Sequence, residues 1–208
     1  FWVDGEDHDL EEIAHCSVLD TSLALHKTTL PLDERKGVPA SLIRLDDTFA
    51  SAIASLEGNL AQTEFTEELI NDLKNTYQPG VRLVESFARW LDQLFGHHGL
   101  VVYDASDVAM KPFVQRLFVE ELKCPGQTSR LAANAGAKLE SSGYRAQVVP
   151  AQDAVALFRI DGTRQAIKVA GDDFRIGDQT LTADEMFAEL QHNPSSFSPN
   201  VLLRPLTQ

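Results

Sequence analysis

Cysteine is scarce in this sequence: Cys16 and Cys124 are the only two, far apart and in no metal-ligand spacing. Both read as reduced thiols of a cytosolic protein. Basic residues are outnumbered, 18 Lys and Arg against 31 Asp and Glu, for a net charge of −13. That balance argues against nucleic acid as a partner, because phosphate binding needs clustered cations. Small anions remain compatible, since a local site can oppose the global field. No apolar run is long enough to span a bilayer, and no signal-like amino terminus is present. The phosphate-loop Gly-Lys-Ser/Thr pattern, the Gly-x-Gly-x-x-Gly fingerprint and the Gly-x-Ser-x-Gly elbow are all missing. There is no initiator Met, and the last residues, Leu206-Thr207-Gln208, form no charged tail. The expectation is a piece of a longer protein. What is present is ordinary for a globular domain: 208 residues, 43% hydrophobic and 24% charged, enough for one large domain or a domain with an insertion.

The most informative stretch is Gly5-Glu6-Asp7-His8-Asp9, directly after Phe1-Trp2-Val3. Phe-Trp-Val reads as the end of a buried strand, and Leu10-Glu11-Glu12-Ile13 as a short helical turn. Three acids and a histidine thus fall where a strand hands over to a helix, the carboxyl edge at which open α/β sheets bind ligands. Gly5 suits a bend or a close backbone approach. Asp9 and Glu12 also fit a box-like helix start, which leaves Glu6, Asp7 and His8 for function.

Further along, His15–Leu19 and Leu23–Thr28 are expected strands around a turn at Asp20-Thr21-Ser22. Pro31 to Pro39 reads as a loop. Helical spacing then predicts three helices: one capped by Asp46 or Asp47, one opening at Thr63 or Glu64, and one from about Val81 to Phe95. Gly96 is expected to stop the third, and His97 and His98 are read as structural. Leu100-Val101-Val102-Tyr103 has the fully apolar texture of an interior parallel strand. It leads into Asp104-Ala105-Ser106-Asp107 and a helix from about Val108 to Leu122, repeating the logic of the opening. Asp104 is the functional candidate there, with Ser106 or Asp107 as the cap. Thr128–Ser142 predicts a helix and Gln147–Val149 a strand. From Val155 the texture changes to short strands split by Asp161-Gly162, Gly171-Asp172 and Gly177-Asp178, a small antiparallel meander. Thr182-Ala183-Asp184-Glu185 is a capping box that starts a helix to about Gln191. In the closing segment Arg204 stands among apolar residues and needs a partner or an anionic ligand.

By residue chemistry alone, carboxylates with His8 at one sheet edge can perform general acid–base work on an amine or hydroxyl, or hold a divalent cation. A metal-assisted hydrolase built on Asp7, His8, Asp9 and Asp104 and a non-catalytic sugar- or nucleotide-binding remnant both stand as readings of this set.

The run Phe1-Trp2-Val3-Asp4-Gly5-Glu6-Asp7-His8-Asp9-Leu10-Glu11-Glu12-Ile13 resembles the Phe-Trp-x-x-x-Glu-Asp-His-Asp signature of the bacillithiol-biosynthesis cysteine-adding enzymes. Gly99-Leu100-Val101-Val102 with Asp104-Ala105-Ser106-Asp107 is similar to that family's second strand-to-helix turn. Gly143–Val148 and Phe197–Leu206 resemble two more of its blocks, in the family's order. The resemblance implies an α/β fold, with a Rossmann-like, nucleotidyltransferase-like parallel sheet core and a small inserted antiparallel meander. The expected division is a core portion over 1–150 with a helical insertion at about 46–96, a connecting module over 151–192, and a return to the core over 193–208. The implied activity joins cysteine to the amino group of glucosaminyl-malate, the last step to bacillithiol. The implied catalytic set is His8, Asp7 and Asp9, with Gly5, Glu6, Asp104, Ser106, Asn200 and Arg204 binding substrate and no metal. ATP or another nucleotide is implied only if cysteine is activated as an acyl phosphate or adenylate. The full-length protein is expected to be a cytoplasmic homodimer joined by a coiled coil that is absent from this sequence.

Overall fold

A computed structural model describes residues 1–30, 32, 35–151 and 153–199. The chain divides into two units, Phe1–Ser106 and the remainder from Asp107. The division therefore falls after Ser106, ahead of the 150/151 boundary at which the texture of the sequence changes.

In the first unit, strand β1 (Trp2–Val3) pairs in parallel with β4 (Tyr103–Asp104), with Trp2 opposite Tyr103 and Val3 opposite Asp104. Strands β2 (His15–Leu19) and β3 (Leu25–Thr29) form an antiparallel hairpin. Asp20 organises its turn: one carboxylate oxygen accepts from Ser22 N, Ser22 Oγ and Ala24 N, while the other lies 2.7 Å from His26 Nε2. The Ser22 hydroxyl and the His26 ring hold this carboxyl well below the usual range. Helices α1 (Asp47–Asn59), α2 (Thr66–Thr76) and α3 (Leu83–Phe95) follow. Asp46 caps α1 by accepting from Thr48 N at 3.0 Å. The core gathers Val3, Leu10, Leu32, Ile43, Leu45 and Phe49 with Leu83 and Val84 of α3.

Several local expectations differ from what forms. The 3₁₀ turn Glu11–Ile13 has Leu10 at its cap position, with no side-chain cap, so Asp9 and Glu12 make no capping box. Gly96 stays right-handed and continues α3 into a 3₁₀ turn; Gly99, at φ 86°, makes the left-handed exit. The run Leu100–Tyr103 contributes only Tyr103 to a strand, and Val101 is exposed. A parallel interior strand needs neighbours on both sides to bury its apolar faces; β4 is hydrogen-bonded only to β1 among the described residues.

In the second unit, α4 (Lys111–Lys123) and α5 (Gln127–Ser141) precede a five-stranded antiparallel sheet. Its strands are β5 (Ala154–Asp161), β6 (Thr163–Ala170), β7 (Asp173–Ile176), β8 (Gln179–Leu181) and β9 (Phe197–Pro199), in the order β8-β7-β6-β5-β9. Helix α6 (Ala183–His192) carries the expected capping box between Thr182 and Glu185. Buried polar groups tie α4 and α5 to this sheet. Glu121 accepts from Ala156 N at 2.9 Å and from Thr128 Oγ1, and Ser129 Oγ donates to Ala154 O at 2.8 Å. Lys111 Nζ donates to Phe197 O at 2.9 Å. These bonds explain why α4 and α5 belong with the meander, and why 193–199 extends the meander through β9. Gln147–Val149 forms no strand, and Val149 is exposed.

Candidate functional site

The short β1 delivers Asp4 to Asp9 to the carboxyl edge of the β1–β4 pair. Backbone bonds fix the loop: Asp7 N donates to Asp4 O at 3.0 Å, Ser41 N to Gly5 O at 2.7 Å and Ala40 N to Asp7 O at 2.8 Å. The Asp7 side chain organises the next two residues. Its Oδ1 accepts from His8 N at 2.7 Å and from Asp9 N at 3.2 Å, and lies 3.7 Å from His8 Nδ1. Asp7 thus orients the loop as well as offering a charge. Glu6 is withdrawn from solvent, at 2% exposure.

Gly5 joins the two strand ends. A Cβ at this position would lie 2.6 Å from Asp104 Oδ1, 2.9 Å from Ser106 Oγ and 3.2 Å from Val84 Cγ1. The close approach expected of Gly5 is thus made to the second strand-to-helix turn. Asp104 Oδ1 in turn accepts from Ser106 N at 2.8 Å and Ser106 Oγ at 2.7 Å. Gly5, Asp104 and Ser106 therefore form one contact, next to the loop that holds Asp7, His8 and Asp9. Asn200 and Arg204 lie outside the described residues.

Beside this edge the first unit encloses a cavity of about 580 Å³. Asp4, Asp7, Asp9 and Glu12 line it, together with an apolar wall from α1, α2 and α3 that includes Phe49, Ile53, Leu56, Leu73 and Phe87. Gly5, Glu6, His8, Asp104 and Ser106 are not among its lining residues. Tyr77 also lines the cavity, and burial pushes its phenol up to about 12. Asp4, His15, Cys16 and Thr28 are lining residues that no sequence motif singled out. The alternation of β2 and β3 was the available signal for the last two, since Cys16 and Thr28 are cross-strand partners.

The arrangement offers a histidine, a carboxylate that fixes the backbone on either side of its ring, further carboxylates, and an apolar chamber alongside. Among the described residues, no three His, Cys, Asp or Glu side chains are grouped to hold a metal ion. Among the same residues no helix is long and apolar enough to cross a membrane.

Residues 1–208 match the family model described as bacillithiol biosynthesis BshC, N-terminal Rossmann-like domain. A protein of Koribacter versatilis (strain Ellin345) is 32% identical over 209 residues, and one of Salinibacter ruber (strain DSM 13855 / M31) is 34% identical over 216. A third, from Lysinibacillus sphaericus (strain C3-41), is 28% identical over 211 residues. All three bear the name "Putative cysteine ligase BshC". Each alignment takes in 100% of this chain but only 38%, 38% and 39% of the respective relative. The chain spans well under half the length of the curated relatives it matches.

Proposed function

The chain belongs to the BshC family of bacillithiol biosynthesis, as its N-terminal Rossmann-like domain, and from that premise we propose that the protein carrying it is a carbon–nitrogen ligase. It joins L-cysteine to the amino group of glucosaminyl-malate, the last step to bacillithiol, in the cytoplasm. The observation that supports this most is the Asp7–His8–Asp9 loop, held at a strand end beside the Asp104–Ser106 turn by Gly5.

In this reading the glucosamine nitrogen attacks the carbonyl carbon of an activated cysteine. The C–N bond forms as the bond to the leaving group breaks, and the nitrogen sheds a proton. His8 accepts that proton, with Asp7 fixing the backbone on either side of it. Asp9 holds the substrate ammonium, which gives one proton to solvent before attack, or the sugar hydroxyls, and Asp104 and Ser106 position the acceptor from the second turn. Asn200 and Arg204 serve carboxylate recognition, where the planar guanidinium fork suits two oxygens. A carboxylic acid does not condense with an amine in water unaided, so cysteine needs a leaving group. The described edge and cavity present no Lys or Arg and no glycine-rich cradle suited to a polyphosphate. The activation step is therefore not assigned to these residues. Assembly into a homodimer through a coiled coil outside this sequence belongs to the same proposal.

The test is to incubate the full-length protein with glucosaminyl-malate, cysteine and ATP and read the products by mass. Gain of one cysteinyl residue supports the ligase, and the adenosine product reports how cysteine was activated. Substrate binding by calorimetry with no mass gain would replace the ligase by a binding domain.

A further inference from the structure

The ligase reading uses the cavity of the first unit only along the loop that carries Asp7 and Asp9, and leaves its apolar wall without a role. Two polar atoms on residues that line the cavity are left over. Thr28 is 8% exposed, and its Oγ1 is buried with no hydrogen-bond partner among the described residues. Trp2 packs at a tilt on Tyr103, with ring centroids 4.9 Å apart, and its Nε1 is likewise buried and unpartnered among the described residues. A hydroxyl and an indole N–H shut away from water without partners are unfavourable, and acceptors brought in by a ligand relieve both. None of the lining acids is a bare charge that awaits a counter-ion: Asp9 and Glu12 are exposed to solvent, and Asp4 and Asp7 have contacts within the chain. A volume of about 580 Å³ with mostly apolar walls and a few polar atoms is the make-up of a small-molecule site.

We infer that the cavity binds a neutral molecule with a compact apolar body and a hydrogen-bond acceptor such as a carbonyl. The body packs beside Ile53, Leu56, Leu73 and Phe87, and the acceptor takes the hydrogen of Thr28 Oγ1, with Trp2 Nε1 as a second donor on the same lining. Tyr77, beside them, adds no charge, because burial pushes its phenol up to about 12. A charged group against the apolar wall would lose its hydration with nothing to replace it. Glucosaminyl-malate and cysteine are both charged, so the ligand is neither substrate, and the inference goes beyond the ligase reading.

Ligand-detected NMR titration of the full-length protein tests this with indane, 1-indanone and 1-aminoindane, which share one bicyclic body and differ by a carbonyl or an ammonium. The ketone should bind about fivefold tighter than indane, and the amine, charged at neutral pH, more weakly than the ketone. Thr28→Val should shrink the fivefold difference to about twofold or less, because it removes the hydroxyl and keeps the shape. Bound 1-indanone should also slow alkylation by iodoacetamide of Cys16, which lines the cavity, and leave Cys124, at the end of α4, unaffected, as read by peptide mass. Ala52→Phe, which fills the cavity from α1, should abolish binding, with circular dichroism confirming that the variant is folded; if it is not, Thr28→Val and the Cys16 rate decide. No binding of 1-indanone at about 1 mM, a ketone no tighter than indane, tighter binding of the amine, or a difference that survives Thr28→Val would each overturn the inference. So would an unchanged Cys16 rate, or undiminished binding in folded Ala52→Phe. The mass assay for cysteine addition, run on the same preparation, reports separately on the ligase.

Discussion

In the second unit Phe118, Leu157, Ile167, Met186, Leu190 and Phe197 are wholly withdrawn from solvent. In the first, Phe49, Ile53, Leu56 and Phe87 border a space of about 580 Å³. The composition is similar and the outcome is not. Five antiparallel strands give the meander a continuous face for α4 and α6, and the buried Lys111 and Glu121 find partners there, at Phe197 O and Ala156 N. The first unit has a two-stranded parallel pair, one hairpin and three helices, which leave a chamber next to the acid-rich loop. The unit with the incomplete interior is also the one that carries the candidate chemistry, as expected where a ligand supplies part of the packing.

Paired truncations sharpen that contrast most. Leu190→Ala should cost about 3–5 kcal/mol, because a filled core leaves a new void behind. Leu56→Ala, in a wall that already faces open space, should cost less than about 1.5 kcal/mol. Urea unfolding of both variants measures the difference, and equal losses would show that the chamber is closed in solution. Next in size is His8→Ala in the full-length protein, expected to lower the rate of cysteine addition about a hundredfold with little change in melting temperature. An unaltered rate would remove His8 from the mechanism.

Gly5→Ala should destabilise by about 1–3 kcal/mol, because the new methyl meets Asp104 Oδ1 and Ser106 Oγ. Pairing it with Ser106→Gly, which withdraws one of those atoms, should recover part of the loss in a double-mutant cycle. Thr182→Ala removes the capping box of α6 and should cost about 1 kcal/mol, with no effect on ligand binding in the first unit. The smallest effect is alkaline. The Tyr77 phenol is held near 12 in the folded chain against about 10 unfolded. Below pH 10 it is neutral in both states; between 10 and 12 the unfolded chain loses its proton first, so stability falls as pH rises. Tyr77→Phe should flatten that decline in unfolding curves taken from pH 9 to 11.

Signals that act within a few residues were legible. Asp46 before α1 and the Thr182–Glu185 box formed where spacing and side-chain chemistry put them, and the hairpin formed with its first strand at His15–Leu19 as expected and its second at Leu25–Thr29 in place of Leu23–Thr28. The acid-rich stretch likewise folded into a loop at a strand end, with Asp7 and Asp9 reaching the cavity. What depended on distant partners was not legible. Leu100–Val102 has the composition of a buried strand, yet a strand exists only where another chain segment offers hydrogen bonds. The bonds from Glu121 and Ser129 tie α4 and α5 to β5, and nothing in the local sequence of either helix announces them. Asp9 lost the capping role to Leu10 because the loop it sits in is held by Asp7 and by Ala40 and Ser41 N–H groups from a later segment. The chamber itself is assembled from three helices and a hairpin, so no window of sequence contains it.

The pairing of β1 with β4 brings Trp2 against Tyr103, from opposite ends of the first unit. The hairpin and the three helices lie between them in the chain and can form from near neighbours. The parallel pair must instead close nearly the whole unit into a loop before its few hydrogen bonds are made. Contacts of such long sequence separation are slow to form. The strand end that carries Asp7, His8 and Asp9 should thus be completed late, after the local elements, and in hydrogen exchange the amides of Tyr103 and Ala105 should be among the first of the bonded set in this unit to open. In the proposed ligase, activity would then serve as a reporter of finished folding: a chain halted earlier along its route has its helices but not the strand end that positions His8.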